Sequence, residues 1–261
     1  MLRVFFFVYG AVCHLLFLAV YAWLAAFFAG LPLLPKTIDS PAGDSLGGAL
    51  AINAGLVLAF ALQHSIMARP GFKRLWTRLV PEPIERSTYV LLSCVVLAAL
   101  LIYWQPIGIV VWDLPAGLAR WAAWTLFAAG WLLVPLVTFM INHFDLFGTR
   151  QVWLHLRGKP YTSLPFRTPM LYARMRHPLY VGWAIAFWAI PTMTAGHLLL
   201  AALLTGYMLV AVVFEERDLI AHFGLAYQNY RRRVPMFIPL LRLNGDDRAE
   251  LARERDEPAG S

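Results

Sequence analysis

The chain has 261 residues, of which 60% are hydrophobic and 14% charged, with a formal net charge of +7. Soluble domains hold about 45–50% apolar and about 25% charged residues, so the composition excludes an ordinary soluble globule and points to an integral membrane protein. The positive charge is confined to particular connections, which fits membrane topology and lipid contact rather than nucleic-acid binding.

In chain order, the first apolar run extends from Val4 to about Gly30. A secretory signal has a core of about 7–15 apolar residues, so this longer run reads as a retained anchor helix. Three more runs reach the length of about 20 residues that a membrane helix needs: 46–67, 88–105 and 118–141. Cys13 and Cys94 lie inside apolar runs and read as small buried hydrophobes rather than a disulfide. His14 and His64, also within apolar runs, read as neutral histidines satisfied by neighbouring helices.

The stretch 179–213 is almost free of charge over 35 residues. As one straight helix it would be roughly 52 Å long, against a hydrocarbon core of roughly 30 Å. Pro191 and Gly196 mark a break in its middle. The expected structure is a helical hairpin with arms near 179–194 and 197–214.

Charge supports the same topology. The linker 68–87 carries Arg69, Lys73, Arg74, Arg78 and Arg86. The linker 142–178 carries Arg150, Arg157, Lys159, Arg167, Arg174 and Arg176, and Arg231, Arg232 and Arg233 follow the hairpin. The positive-inside rule places all three on the cytoplasmic side. Only a hairpin that crosses twice, or dips and returns, brings the last of them there. The expected fold is therefore all-α: a polytopic membrane bundle of five to six helices, the last two a hairpin, with a cytoplasmic pocket. Both termini are expected in the cytoplasm, across a bacterial inner membrane. Residues 1–141 form the N-terminal membrane helices, 142–243 the site-bearing part, and 244–261 a solvated tail.

Polar groups concentrate in the second half. Asn142, His143, Asp145, Arg150 and Gln151 gather where the fourth span ends. In the stretch MRHPLYVGW (Met175–Trp183), Pro178 suits the first turn of a helix because its missing N–H would be unbonded there anyway. The next amides, of Leu179 and Tyr180, would then point outward at a helix start, which favours anions. Arg176 and His177 crowd the same place, and Gly182 would allow close approach of a ligand. At the other end of the hairpin come Glu215 and Glu216, then Tyr227 and Tyr230. A hairpin returns its second arm beside its first, so these become two walls of one site. An anion for the helix mouth, hydroxyls for a glutamate and a flat base or cation for aromatic rings together describe S-adenosylmethionine. No GxGxxG opening a βαβ unit and no P-loop is present, and no HExxH or paired cysteines ask for a metal.

Tyr172, Arg176-His177-Pro178, Tyr180, Gly182, Glu215-Glu216, Phe223-Gly224, Tyr227, Tyr230 and Pro239 stand in an order that resembles the isoprenylcysteine carboxyl methyltransferase superfamily of membrane enzymes. The resemblance covers about a quarter of the chain in this pattern, and the segment INHFDLFGTRQVW extends it toward the bacterial thiol S-methyltransferases. It implies S-adenosylmethionine enclosed by the inner ends of the last helices. Adenine and ribose would lie against the linker, with Gln151 and Tyr172, and against the Glu-Glu region; the carboxylate would lie near His-Pro. Ester-forming members place an Arg about one turn before the Glu pair. Here Val210–Phe214 carries no charge, which suits a small neutral thiol, with methanethiol converted to dimethyl sulfide.

Such a thiol must lose a proton. Even Cys, with a pKa near 8.5, is mostly protonated at neutral pH, so a general base is expected. His143 oriented by Asp145 is the first candidate and Glu216 the second, with Arg150 to stabilise thiolate. The competing readings are a prenylcysteine-type carboxyl methyltransferase, a membrane NADPH-dependent reductase, and a haem or transport protein using His14, His64, His143 and His197.

Overall fold

The computed structural model describes residues 1–41 and 45–239; the expected tail at 244–261 lies outside them. Its long helices are α1 (Leu2–Phe28), α2 (Leu46–Ala68), α4 (Glu82–Tyr103), α5 (Leu118–Ile141) and α9 (Ala195–Phe223), with the short α3 (Pro70–Trp76) between α2 and α4. After α5 come α6 (His143–Leu146), α7 (Thr149–Leu156), a 3-10 turn at Met170–Ala173 and α8 (Pro178–Trp188); α10 (Leu225–Arg233) follows α9. Among the described residues, those five long helices are long and apolar enough to cross a membrane. Large apolar side chains such as Phe5, Leu15, Trp121, Leu132 and Leu136 stand exposed along them, as lipid-facing surfaces require.

Local chemistry sets the helix ends. Ser45 caps α2 by accepting from the Gly48 amide, and Thr194 caps α9 through the His197 amide. Pro70, Pro83 and Pro178 sit in first turns, where a missing N–H costs nothing. Gly148 starts α7 with a φ of +87°, and a Cβ there would lie 2.5 Å from the Ser87 hydroxyl, so both conformation and space demand glycine.

The third span begins at Glu82, six residues before the apolar run at 88, because its first turns are amphipathic rather than oily. The hairpin is present but unequal. α8 has 11 residues, about 16 Å of helix, and stops at Trp188 rather than near 194. α9 runs to Phe223 rather than 214, ending only where Gly224 adopts a φ of +58°. Between them the chain forms a strand, β2 (Thr192–Thr194), paired antiparallel with β1 (Val110–Asp113). The ribbon bonds backbone groups that a membrane interior would leave unsatisfied. Arg120 fastens it, donating to Asp113 (2.9 Å) and Thr192 (3.2 Å).

The main core lies toward the ribbon end and includes Phe28, Leu101, Trp104, Trp131, Phe187 and Leu204. α8 packs on α5 through glycines. A Cβ on Gly130 would lie 2.5 Å from the Ala186 amide nitrogen, and one on Gly182 would lie 3.2 Å from Val134 Cγ2. At the other end Arg69 pairs with Asp218 (2.8 Å) and Arg86 Nε donates to the Leu146 carbonyl (2.8 Å). The N-terminal half of α1 runs beside α7, with Gly10 against Val152 and Gly158 against Arg3. The basic linkers, the start of α1 and α10 thus share one end, called here the basic end. Cys13 and Cys94 are both buried and unbridged.

Gly130→Ala should force α5 off α8 and lower stability by about 1–3 kcal/mol. Gly55→Ala, where a Cβ meets nothing within 4 Å, should raise it by up to about 1 kcal/mol. Thermal melts in one detergent, read side by side, give both signs.

Candidate functional site

His177 and Pro178 open α8 at the basic end, directly opposite Glu215 and Glu216 on α9. The Glu216 carboxylate is buried and drawn into a cluster of three cationic or polar groups. Arg176 Nε donates to its Oε1 at 2.6 Å, and His177 Nε2 meets the same oxygen at 3.1 Å. Arg231 Nε lies 3.3 Å from Oε2. Arg176 also donates to the carbonyls of Arg231 (3.1 Å) and Val234 (2.6 Å). The Tyr180 hydroxyl donates to Glu215 Oε2 at 2.7 Å, and its ring stacks on His177 with centroids 5.3 Å apart. The expected meeting of the two walls is therefore present, with Arg231 as a member that the sequence pattern did not single out.

Three details differ from expectation. Glu215 and Glu216 sit inside α9, two turns before its end, rather than just past the second arm; Arg176 and Arg231 compensate Glu216. The Tyr180 amide is turned onto the His177 carbonyl (3.1 Å), while the amides of Arg176 and His177 donate to Pro235 (2.9 Å) and Met236 (3.1 Å). The helix mouth is crossed by 234–237 and has fewer open donors than Leu179 and Tyr180 suggest. Gly182 is taken up by the packing of α8 on α5 rather than by open space.

Beside this cluster, Tyr230 donates to the Tyr172 carbonyl at 2.6 Å, and Phe166 packs between Phe223, Tyr227 and Tyr230. Burial pushes the Tyr230 phenol up to about 12 and raises Tyr172 and Tyr227 as well, so all three stay protonated at neutral pH. Among the described residues, the buried Tyr227 hydroxyl has no hydrogen-bond partner. An open cleft of about 560 Å³ lies here, lined by Arg176, Ile220, Gln228, Arg231 and Arg232, within the range of about 300–1,000 Å³ usual for small-molecule sites.

A second polar group forms where α1, α5 and α7 meet. His143 is buried against α1, its Nε2 3.2 Å from Nε2 of His14 and its Nδ1 2.7 Å from the Thr138 hydroxyl. His14 Nδ1 lies 2.8 Å from the Thr149 hydroxyl. Phe139 stacks on the His143 ring at 4.1 Å and 9°, and Phe147 closes the other side at 4.7 Å. Burial, and then the neighbouring His14, lower the His143 pKa from its ordinary value.

The expected pairing of His143 with Asp145 is not formed. Asp145 accepts from Arg150 (2.9 Å) and Tyr161 (3.3 Å), and its carbonyl accepts from Gln151 (3.1 Å). Arg150 also donates to the Thr162 carbonyl (2.9 Å), so the acid, the Arg and Gln151 tie α7 to the linker. His64 bonds Tyr89 and Ser93 on α4, and His197 bonds the Phe187 carbonyl near the ribbon. Of the four histidines, His14 and His143 pair, while His64 and His197 lie apart from them and from each other. His14, Thr138 and Thr149 were missed as site residues. Their signal, a His in the first span and a Gly-Thr step into α7, gains meaning only once α7 is laid along α1.

The chain is 50% identical over 241 residues to methanethiol S-methyltransferase of Crocosphaera subtropica, covering 92% of this chain and 93% of that one. It is 51% identical to the protein of the same name from Mycobacterium tuberculosis, over 89% and 95% of the two chains. The chain belongs to the methanethiol S-methyltransferase family. Human nurim is a more distant relative, 34% identical over 76% of this chain and 72% of its own. No protein-family model matches the chain, and no solved structure does.

Glu216→Gln should leave the buried Arg176 guanidinium without its carboxylate, a loss of about 3–5 kcal/mol. Glu215→Gln, at a carboxylate 45% exposed, should lower stability by much less. Denaturation of the two variants in the same detergent compares them.

Proposed function

We propose that the protein is an integral-membrane methyltransferase that moves the methyl group of S-adenosylmethionine to methanethiol, giving dimethyl sulfide. The observation that carries this reading is likeness at about 50% identity, over nearly the whole chain, to relatives named for that reaction. The fold supplies what such a reaction needs: a bundle that excludes water and a polar site at one end.

The residues at the basic end fit the cofactor. Glu215, with one oxygen on Tyr180 and its side chain partly exposed, suits ribose hydroxyls. Tyr172, Tyr227 and Tyr230 offer rings for a flat base or a cation, and the unpartnered Tyr227 hydroxyl is a buried donor in want of an acceptor. The cleft lined by Arg176, Arg231 and Arg232, beside the mouth made by His177, Pro178 and Leu179, suits the carboxylate. When bound, S-adenosylmethionine supplies a methyl group on a sulfonium that is already strongly electrophilic. The chain's tasks are then alignment, for which oriented reactions show that roughly 7–11 kcal/mol is attainable, and removal of the thiol proton.

For the second task the buried His14–His143 pair is the favoured place for the proton. Glu216, the other candidate, is spent on Arg176, His177 and Arg231. Asp145 and Arg150 act together by fixing the start of α7, with the Arg150 cation near the place where thiolate forms; Gln151 supports them. The basic end faces the cytoplasm of a bacterial inner membrane, as the positive-inside rule asks, with both termini on that side and residues 142–243 carrying most of the site.

The turn before the Glu pair remains apolar, and Arg69, the nearest guanidinium to Phe214 from another helix (5.9 Å), is held by Asp218. Arg217, the other guanidinium over that ring (5.6 Å), follows the pair, so the turn before it offers no cation of its own to a substrate carboxylate, which weighs against a prenylcysteine.

Purified protein supplied with S-adenosylmethionine and methanethiol should release dimethyl sulfide, detected by gas chromatography. Parallel arms with a prenylcysteine, or with NADPH and a sterol, should stay silent; product in either of those alone would replace the reading. His143→Ala should lower kcat by about 100-fold or more while calorimetry finds S-adenosylmethionine affinity within a few-fold of the parent. Equal turnover across a pH series would remove His143 from the role.

A further inference from the structure

The hydrogen bonds around His143 have a direction. The Thr138 hydroxyl donates to the Pro135 carbonyl at 2.7 Å, so its oxygen must receive the Nδ1–H of His143. A neutral imidazole has one donor and one acceptor nitrogen. His143 therefore presents a bare Nε2, and the proton between the two rings sits on Nε2 of His14. Neutral His14 is then bare at Nδ1, which takes the hydroxyl hydrogen of Thr149. Fixing one end fixes all four bonds. Thr138, His143 and His14 are buried, whereas Thr149 is partly exposed. Both His143 nitrogens are occupied, so no substrate proton reaches that ring directly.

We infer that Thr149 receives the thiol proton and that the His14–His143 pair holds it. This deepens the reading of the protein as a methanethiol methyltransferase and rests on it. The S–H bond breaks as an O–H bond forms at Thr149 Oγ, and the original hydroxyl hydrogen passes to Nδ1 of His14. Sulfur keeps the electron pair as thiolate, and His14 becomes an imidazolium. Its Nε2 proton lies in line with the bare Nε2 of His143, so the charge spreads over two rings. Phe147 and Phe17 lie against the pair, and Phe139, stacked on His143, offers a ring face to a cation.

Ionisable groups on the packed elements include Tyr9 and Cys13 on α1, Arg86 on α4, Asp145 on α6, and Arg150 and His155 on α7. Asp145 and Arg150 pair with each other, Tyr9 bonds Thr88, and Arg86 bonds the Leu146 carbonyl. Among the described residues none of them hydrogen-bonds either ring, so the pair's route to the outside runs through Thr149.

The test compares wild type, Thr149→Val and Thr149→Ser in the intact detergent-purified protein with methanethiol and S-adenosylmethionine, from pH 6.5 to 10. At pH 7 the Val variant should lose about 100-fold or more in kcat, the scale of a general base. Its affinity for S-adenosylmethionine should be unchanged, and the Ser variant should stay within a few-fold of wild type. As pH rises the thiol ionises by itself, so the gap between Val and wild type should close to less than about 10-fold by pH 10, the tenfold-per-unit rise in thiolate below its pKa making the relay unnecessary. A gap that stays constant with pH, or a Ser variant as poor as Val, overturns the relay. Should the Val variant not fold, Thr149→Ala serves in its place with the same two criteria. If wild type itself makes no dimethyl sulfide, the functional reading fails and the relay with it; an active wild type with a flat gap sinks the relay alone.

Discussion

A carboxylate withdrawn from water must find positive partners or become neutral, and Glu216 finds Arg176 and Arg231 with His177 beside them. These partners come from opposite sides of the hairpin: two precede α8 and one follows α9 on α10. A single buried anion therefore ties the mouth of α8, the inner part of α9 and the start of the C-terminal segment to one point. Arg176 extends the tie by donating to two carbonyls at the end of α10. The same cluster fixes how deep α8 sits. At 11 residues α8 is too short to set its own depth by matching a bilayer. It is held instead by Glu216 at its mouth and by glycine-mediated packing on α5. Its shortness leaves the chain at 189–194 within the bundle, and the two-stranded ribbon is what satisfies that backbone.

α5 links the two polar groups. Its flank carries α8, and its basic end carries Thr138 and leads into His143. The Glu216 cluster is charged and compensated; the His14–His143 group is neutral and self-contained. That division suits the proposed reaction, between a charged cofactor and an uncharged thiol. The ionic cluster can shape a site for the first without perturbing the histidines. The histidines, ringed by Phe side chains, can change protonation without disturbing the ions.

Much of this was legible in the sequence for plain reasons. Apolar runs of membrane length announce themselves, and the length of 179–213 against the bilayer demanded a fold-back. From the fold-back alone, Glu215 and Glu216 had to meet His177 and Tyr180. What was not legible depends on contacts distant in sequence. Asp145, two residues from His143, looked like its partner, whereas the ring actually turns to His14, 129 positions away. The run EERD looked like the end of a helix, yet α9 continues on a polar face until Gly224 halts it. Gly182 looked like room for a ligand; the room belongs to Val134 of α5. The strands VVWD and TMT are four and three residues long and carry no periodicity from which pairing could be read.

The neutrality of the histidine pair follows from where it lies. A resting charge in an apolar surround would carry a heavy desolvation penalty, and among the described residues no acid hydrogen-bonds either ring to offset it. Hydroxyls stand at both ends of the pair instead, and these accept or donate without a charge of their own. Such an arrangement stays uncharged at rest and becomes positive only when a proton arrives. The positive charge then appears beside a newly formed anion, and the two stabilise each other more strongly there than in water because the screening is weak. An Asp in the place of Thr149 would hold the pair permanently protonated and remove its capacity to take a proton. In the proposed relay the threonine at the exposed end belongs to the chemistry, and not only to the helix start that Gly148 makes possible.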